Sequence, residues 1–483
     1  MNKDFGYVWT NDLGNLAKWR RCVLLVCMSL SFIVAGSNVW GWHDGEEDDH
    51  KPRQVKPAEM FAPSNLPDRV ILTFCGDPRT TQAVTWRTST EIVKGIAEIA
   101  VATHGPEFSK QVKGVEAVTS ALVSDLNSSH YHSVVFRDLA PGTKYAYRVG
   151  DGVNWSEWFH FSTAADEPES FSFIYFGDAQ NNLRSMWSRV IREAFSDAPK
   201  AKFLLHAGDL INIAQSDADW GEWFGAGGWL NATVPSVPVV GNHEQHKRED
   251  GTRGLTHHWR PQFTLPEQGP AGLEETVYCF DYQNAKIIIL NSNTQHAEQG
   301  LWLEEVLSKN TQPWVIVSFH HPIFSTAKDR DNAGLRAAWK PILDKYQVDL
   351  VLQGHDHSYG RTGLTTPLDL PKSDVANVPT GLTARDEHHG TVYVVSVSGP
   401  KMYNVDQKPF MVRMAEDTQL YQVIKVEGMK LTYEARTAVG ALYDTFELHK
   451  DALVSGEANG LTAGKRGPNR IVEGAPVIPE RRR

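Results

Sequence analysis

The chain has 483 residues, 41% hydrophobic and 22% charged, proportions of an ordinary globular protein with enough apolar material for more than one domain. Its formal net charge of -10 excludes a nucleic-acid or anionic-membrane partner held by bulk electrostatics. A phosphate site stays open, because bound cations set the local field there.

Lys18, Arg20 and Arg21 precede an apolar run over 22–35, and Ala35-Gly36-Ser37 offers small residues for cleavage. This reads as a signal peptide over 1–37, which implies a secreted or periplasmic protein. The run is short for a membrane span, which takes about 20 residues, so no stable span is expected. An uncleaved anchor is the alternative. Glu46, Glu47, Asp48 and Asp49 mark a solvated linker over 38–62. Cys22 and Cys27 fall inside the signal, leaving Cys75 and Cys279. Two distant cysteines form no disulfide framework; a bridge between domains and two free thiols both fit. Asn127, Asn154 and Asn231 stand in glycosylation sequons.

From 63 to 163 the pattern is one of short strands and turns. Residues 70–74 are apolar and end at Gly76-Asp77-Pro78, and 83–88 alternate apolar and polar around Trp86. Residues 131–136 lead into Leu139-Ala140-Pro141-Gly142-Thr143, and 145–150 and 158–161 close the set. About 100 residues of this kind fit an immunoglobulin-like sandwich. Trp86 and Tyr147 read as core, and no catalytic constellation falls here.

Beyond a boundary at 164–169, strands alternate with helices. Residues 172–176 read as a strand, and Leu183, Met186, Trp187, Val190, Ile191 and Phe195 recur at helical spacing. Strands follow at 203–205, 237–240, 287–290, 315–319 and 350–352, with helical runs at 302–307 and 335–346. The alternation predicts a layered α/β domain over 170–448. Stretches at 393–397, 421–426 and 431–434 extend a second sheet. Trp220, Trp223, Phe224 and Trp229 predict a helix packed on the sheet, with a roof over the site as the alternative. The polar, basic tail over 449–483 reads as disordered.

The chemistry lies at the strand ends. Asp178 follows one apolar run and Gly208-Asp209 another; Gly241-Asn242-His243-Glu244, His320-His321 and Gly354-His355-Asp356-His357 follow three more. One polar residue after a strand is usually a turn or cap. Five in succession at the same end of a sheet, where α/β proteins hold ligands, predict a site. Carboxylate, amide and imidazole together suit first-row metals, and no thiolate demands a soft ion.

The set Gly177-Asp178, Gly208-Asp209-Leu210, Gly241-Asn242-His243-Glu244, Val317-x-x-His320 and Gly354-His355-x-His357 resembles the five-block signature of calcineurin-like metallophosphoesterases. The pattern Val84-Thr85-Trp86, with Leu139-x-Pro141-Gly142-Thr143-x-Tyr145-x-Tyr147, is similar to the sandwich of large plant-type purple acid phosphatases. The resemblance covers 63–448. It implies a fibronectin type III-like β-sandwich followed by a four-layer αββα metallophosphoesterase domain, holding two metal ions (Fe, Mn or Zn). Asp178 and His357 would bind the first, Asp209 would bridge, and Asn242, His320 and His355 would bind the second. Two metals roughly 3.5–4 Å apart lower the pKa of a shared water and clamp a phosphate, so a hydroxide attacks a phosphomonoester in line. His243 resembles the family's donor to the phosphate or leaving group, with Glu244 orienting its ring. His321 is a candidate on the substrate side of a small phosphorylated molecule.

The chain departs from that pattern twice. Where purple acid phosphatases carry a metal-binding tyrosine it has Asn212, and where the wider superfamily has a compensating histidine it has Gln180. An amide oxygen from Gln180 or Asn212, or water, must take that position, which favours a divalent ion over Fe(III). After His320 the family's histidines give way to Ser325-Thr326-Ala327-Lys328-Asp329-Arg330; Lys328 or Arg330 contacting the phosphate and a solvated loop both fit. Two rivals follow: a phosphodiesterase on the same site, and a binding or adhesion protein whose metal site is degenerate.

Overall fold

A computed structural model describes residues 55–365, 390–450 and 469–474. The expected signal peptide and most of the expected linker and tail lie outside them. In chain order the first strands are β1 (Asp68–Thr73), β2 (Gln82–Thr88), β3 (Ile96–Val101), β4 (Lys113–Glu116), β5 (Val118–Val123), β6 (Ser128–Phe136), β7 (Lys144–Gly150) and β8 (Phe159–Ser162). They form two antiparallel layers, β1-β2-β6-β5 and β4-β3-β7-β8. Alternating inward residues fill the space between them: Leu72, Val84, Trp86, Ile99, Val134, Tyr147 and Phe161. Each large apolar side chain so buried contributes roughly 1.5–3 kcal/mol of transfer free energy.

The second half opens with β9 (Phe171–Phe176), α1 (Ser188–Asp197), β10 (Leu204–His206), α2 (Asp217–Gly227) and β11 (Ser236–Pro238). A small hairpin follows, β12 (Gln245–Lys247) and β13 (Arg253–Leu255), then β14 (Tyr278–Tyr282), β15 (Ala285–Ile289), α3 (His296–Ser308), β16 (Trp314–Ser318), α4 (Ala333–Lys345) and β17 (Leu350–Gln353). The last strands are β18 (Tyr359–Thr362), β19 (Val392–Val395), β20 (Met411–Ala415), β21 (Leu420–Glu427), β22 (Lys430–Thr437), β23 (Leu442–Lys450) and β24 (Asn469–Glu473). One sheet runs β14-β15-β16-β17-β19-β18-β20. It faces a second sheet containing β21, β9, β10 and β11 across a core that includes Phe173, Phe203, Val237, Phe280, Ile316 and Leu352. Leu303 and Leu307 of α3 and Leu335, Trp339 and Leu343 of α4 pack on the outer face of the first sheet, and α1 packs against β21. The order of layers is α, β, β, α.

The strands reading 172–176, 203–205, 237–240, 287–290, 315–319 and 350–352 all appear, shifted by a few residues at most. Trp220, Trp223 and Phe224 lie buried on α2, so the aromatic loop is a packed helix and not a roof; Trp229 is exposed just after it. The tail is corrected at β24, which pairs with β23 and is held by Glu473 to Arg361. The sequence missed it because a terminal edge strand needs only one partner and shows little apolar alternation. Cys75 and Cys279 are free thiols, and Asn231 is buried, which removes its sequon from the surface.

The two halves share one sheet. β1 pairs in parallel with β11 at Thr73 and Ser236, so the order runs β24-β23-β22-β21-β9-β10-β11-β1-β2-β6-β5. Leu72 N–H donates to Asn231 O and Tyr147 O–H to Ala232 O. Beside this seam Asp217 accepts from Arg69 at 2.7 and 3.0 Å and from Arg87 at 3.4 Å, all three buried. Arg87 also pairs with Asp68, and His258 Nε2 lies 3.6 Å from Asp217. The sandwich is thereby fastened to the α2 side of the α/β domain by paired charge.

Candidate metal centre

β9, β10, β16 and β17 are parallel or lead into sharp turns at one end of the two sheets, and each turn delivers a ligand-type side chain. The turns need unusual backbone. Asp209, His355 and His357 have φ of 52°, 76° and 46°, left-handed values that cost about 1 kcal/mol or more for residues with a Cβ and that cluster at functional sites. Gly208, with φ 91°, sits where a Cβ would come within 2.7 Å of His320 Nδ1. At Gly241 a Cβ would collide with the Asp209 carboxylate. These two glycines leave the room in which the side chains meet.

Two groups of three ligand atoms result: Asp209, His320 and His355, and Asp178, Asp209 and His357, all atoms within 4.8 Å inside each group. Asp209 belongs to both. Tautomers follow from the second nitrogen of each ring. His320 Nδ1 donates to Ala207 O at 2.9 Å, which leaves the Nε2 lone pair facing Asp209 Oδ2 at 3.1 Å. His357 Nδ1 donates to Lys401 O at 3.1 Å, leaving its Nε2 toward Asp178 Oδ1 at 3.8 Å. His355 Nδ1 lies 3.2 Å from His320 Nε2, and Asn242 Oδ1 also lies 3.2 Å from that nitrogen.

Lone pairs and carboxylate oxygens therefore face one another, and only a proton or a cation can reconcile them. The protonation pattern says the same. Burial works against a charged His320, but Asp209 and Asp178 outweigh it and push the ring up to about 10. Burial, then His320, pushes His355 far down; burial, then Lys401, takes His357 down to about 3. Asp178 Oδ1 and Gln180 Oε1 are buried without a hydrogen-bond partner. Orphaned acceptors beside neutral imidazoles fit divalent cations of the first-row type.

Gln180 lies beside the group of Asp178, Asp209 and His357. It is fully buried, and its Nε2 donates to Asp209 Oδ2 at 3.1 Å and to His357 Nε2 at 2.8 Å. A half-turn of the amide presents Oε1 to the same two groups. Asn212 is engaged through its backbone instead: its N–H donates to Asp219, and its carbonyl accepts from His243 Nδ1.

That last contact corrects the role expected for Glu244. Its carboxylate does not touch the His243 ring; it accepts from the backbone N–H groups of Asp209, Leu210 and Gly241 at 2.7–2.9 Å. Glu244 shapes the Asp209 turn, while the Asn212 carbonyl orients His243. His243 Nε2 then lies 4.0 Å from Asp209 Oδ2, and the His243 N–H donates to Asp209 Oδ1 at 2.8 Å. Arg330 is likewise redirected. Its guanidinium donates to His355 O at 3.0 Å and to Asp356 at 3.3 Å, so it braces the histidine loop. Lys328 is exposed, with its backbone N–H on Asn404 O. The His321 ring lies 4.3 Å from the His355 ring, tilted by 51°, and its Nδ1 is hydrogen-bonded to the Ser292 hydroxyl at 2.8 Å.

Sequence reasoning missed four supports: Ser292, Asp356, Lys401 and Tyr403. Ser292 follows the strand at 287–290 and carried the same strand-end signal as the ligands. Asp356 accepts from Ser325 and Thr326 and organises the loop after His320. Lys401 acts through its carbonyl, and the Tyr403 ring packs 4.7 Å from His357. Neither has a spacing that distinguishes it.

The family model described as the purple acid phosphatase N-terminal domain matches residues 67–163, and that of the calcineurin-like phosphoesterases matches 171–359. A phosphoenolpyruvate phosphatase from Allium cepa is 27% identical over 64% of this chain and 66% of its own. Acid phosphatase type 7 from Homo sapiens is 27% identical over 62% of this chain and 72% of its own. The match spans 66% of the onion protein and only 58% of a Mycobacterium tuberculosis relative, so a third or more of each lies outside it. A purple acid phosphatase structure from yellow lupin seeds superposes with a TM-score of 0.65 at 18% identity, covering 84% of this chain and 79% of that one. With its sandwich, its two facing sheets and its shared Asp209, the chain is a purple acid phosphatase-like member of the calcineurin-like phosphoesterases.

Proposed function

We propose that this chain hydrolyses phosphoric monoesters with two divalent metal ions, one held by Asp178, His357 and Gln180, the other by Asn242, His320 and His355, with Asp209 common to both. The observation that carries the reading is the pair of ligand groups sharing Asp209, with Asp178 Oδ1 and Gln180 Oε1 buried and unpartnered beside them. Metal ions so placed polarise a phosphoryl oxygen and acidify water. The remaining work falls to the chain's own groups. Ala207 O and Lys401 O fix the His320 and His357 rings with Nε2 inward. Glu244 holds the Asp209 turn through three backbone N–H groups. His243, held by the Asn212 carbonyl and one-quarter exposed, is placed to donate a proton from Nε2 to the leaving oxygen.

With an amide in place of phenolate at the first position, the pair is Mn, Zn or Fe(II), and the purified protein is colourless; a visible charge-transfer band would overturn that assignment. Residues 1–37 support export of the chain. No helix among the described residues is long and apolar enough to cross a membrane. The deciding experiment is elemental analysis with turnover of p-nitrophenyl phosphate and its bis-ester after metal exchange. Two ions per chain and faster monoester hydrolysis support the reading. Faster diester hydrolysis makes it a phosphodiesterase, and fewer than one ion per chain sinks both.

A further inference from the structure

The loop that leaves β19 is stitched to the group of Asp178, Asp209 and His357. β19 runs parallel to β17 and ends at the same end of the sheet, where Val397 bridges to Asp178. Gly399 N–H donates to Asp178 O at 2.6 Å, and a Cβ on this glycine would come within 2.6 Å of Gln180 O. Two residues on, Lys401 O holds the His357 ring, and Tyr403 N–H donates to His357 O at 3.0 Å. Side chains then gather beside the same histidine. The Tyr403 ring lies 4.7 Å from that of His357; the Lys401 ammonium lies 5.4 Å and the Arg330 guanidinium 5.0 Å from the centre of the Tyr403 ring. After burial, the charge of Lys401 is the largest cause that holds His357 down to about 3, so ammonium and imidazole are near neighbours.

The two cations differ in what offsets them. Arg330 is paired with Asp356 at 3.3 Å. Lys401 is half-buried and has no carboxylate within 4.0 Å among the described residues. A phenol face attracts an ammonium but is no counter-ion, and a half-buried charge without one is costly until an anion reaches it. We propose that Lys401 is a catalytic residue whose ammonium touches the phosphoryl oxygens on the His357 side of the site and meets the negative charge that gathers there as water attacks. The inference rests on the phosphatase reading of the metal centre. In the step itself the oxygen of water bonds to phosphorus and the bond from phosphorus to the ester oxygen breaks. The leaving oxygen takes a proton from His243, and the proton that water gives up makes good that loss. Lys401 keeps its own proton throughout. A fixed cation facing charge that grows in the transition state acts on kcat more than on substrate binding, and placing such cations is most of what a protein contributes to phosphoryl transfer.

Lys401→Met removes the charge and leaves the backbone carbonyl that holds His357, so elemental analysis should find the wild-type metal content. The expected result is a fall in kcat/KM for p-nitrophenyl phosphate of about tenfold to a hundredfold, mostly in kcat, as for the loss of a charge-assisted hydrogen bond. Calorimetry with orthophosphate reads the contact without turnover: the metal-loaded variant should bind it about tenfold more weakly than the metal-loaded wild type. Unchanged turnover and unchanged orthophosphate affinity overturn the proposal. So does a wild type that binds no orthophosphate, or a loss of turnover matched by an equal loss of metal, which would make Lys401 a support of His357 only. If orthophosphate binding depends on Lys401 while the metal-loaded wild type hydrolyses no phosphomonoester, the anion contact stands and the phosphatase reading fails.

Discussion

Around Asp217 each buried charge meets an opposite one. Arg69 and Arg87 donate to Asp217 across the seam between sandwich and α/β layers, and Arg87 also pairs with Asp68 inside the sandwich. Around Asp209, a similar depth of burial brings acceptors onto acceptors: Asp178, the facing nitrogens of His320, His355 and His357, and the Asn242 oxygen. The first cluster is complete as folded and serves attachment. The second leaves Asp178 Oδ1 and Gln180 Oε1 buried without a partner. Unmatched valence, rather than burial or charge itself, separates a working site from a structural one.

That contrast can be broken by substitution. Asp209→Asn removes the carboxylate common to both ligand groups and is expected to lower kcat/KM for a monoester by more than about 10³-fold, the worth of metal-centred charge stabilisation, with melting temperature changed little; surviving turnover would place the chemistry elsewhere. Asp217→Ala does the reverse. Arg69 is left buried without its carboxylate while Arg87 keeps only Asp68, at about 3–5 kcal/mol of stability, seen as a lower thermal midpoint with kcat per folded molecule retained. Burial works against ionised Asp217, but His258 and Arg69 hold its carboxyl well below the usual range. The stability it contributes is therefore full above about pH 4 and lost as pH falls, a loss the variant should not show in acid titration.

Smaller effects sharpen the boundary of the site. His243→Ala is expected to cost about 10²-fold in kcat for a poor leaving group and less for p-nitrophenolate, which needs no proton; equal losses on both would reassign His243 to positioning. Gln180→Ala should weaken one metal by about tenfold, at the low end of losses for groups that support a metal. Elemental analysis after dialysis would read this as a fall from two ions toward one, and Gln180→His should restore the second.

The site was legible where a buried strand runs out. Asp178, Asp209, Asn242, His320 and His355 each follow an apolar run, because a strand with both faces covered is continuous in hydrophobicity and its end is abrupt. What lay off that rule was not legible. Glu244 was read beside His243 because they are adjacent in sequence, yet adjacent residues on a turn point apart, and its carboxylate went to the backbone. The hairpin at Gln245 to Leu255 is two-stranded and exposed, so nothing apolar announces it. The pairing of β1 with β11 joins segments more than 150 residues apart, and local pattern carries no information on such a partner.

That pairing has an outcome for anyone cutting the chain in two. A fragment starting after β8 would turn β11 from an interior strand into an open edge, with unsatisfied backbone groups and an Asp217 stripped of its arginines. Such an edge recruits further strands. The isolated α/β half is thus expected to self-associate, and the sandwich serves as its edge guard.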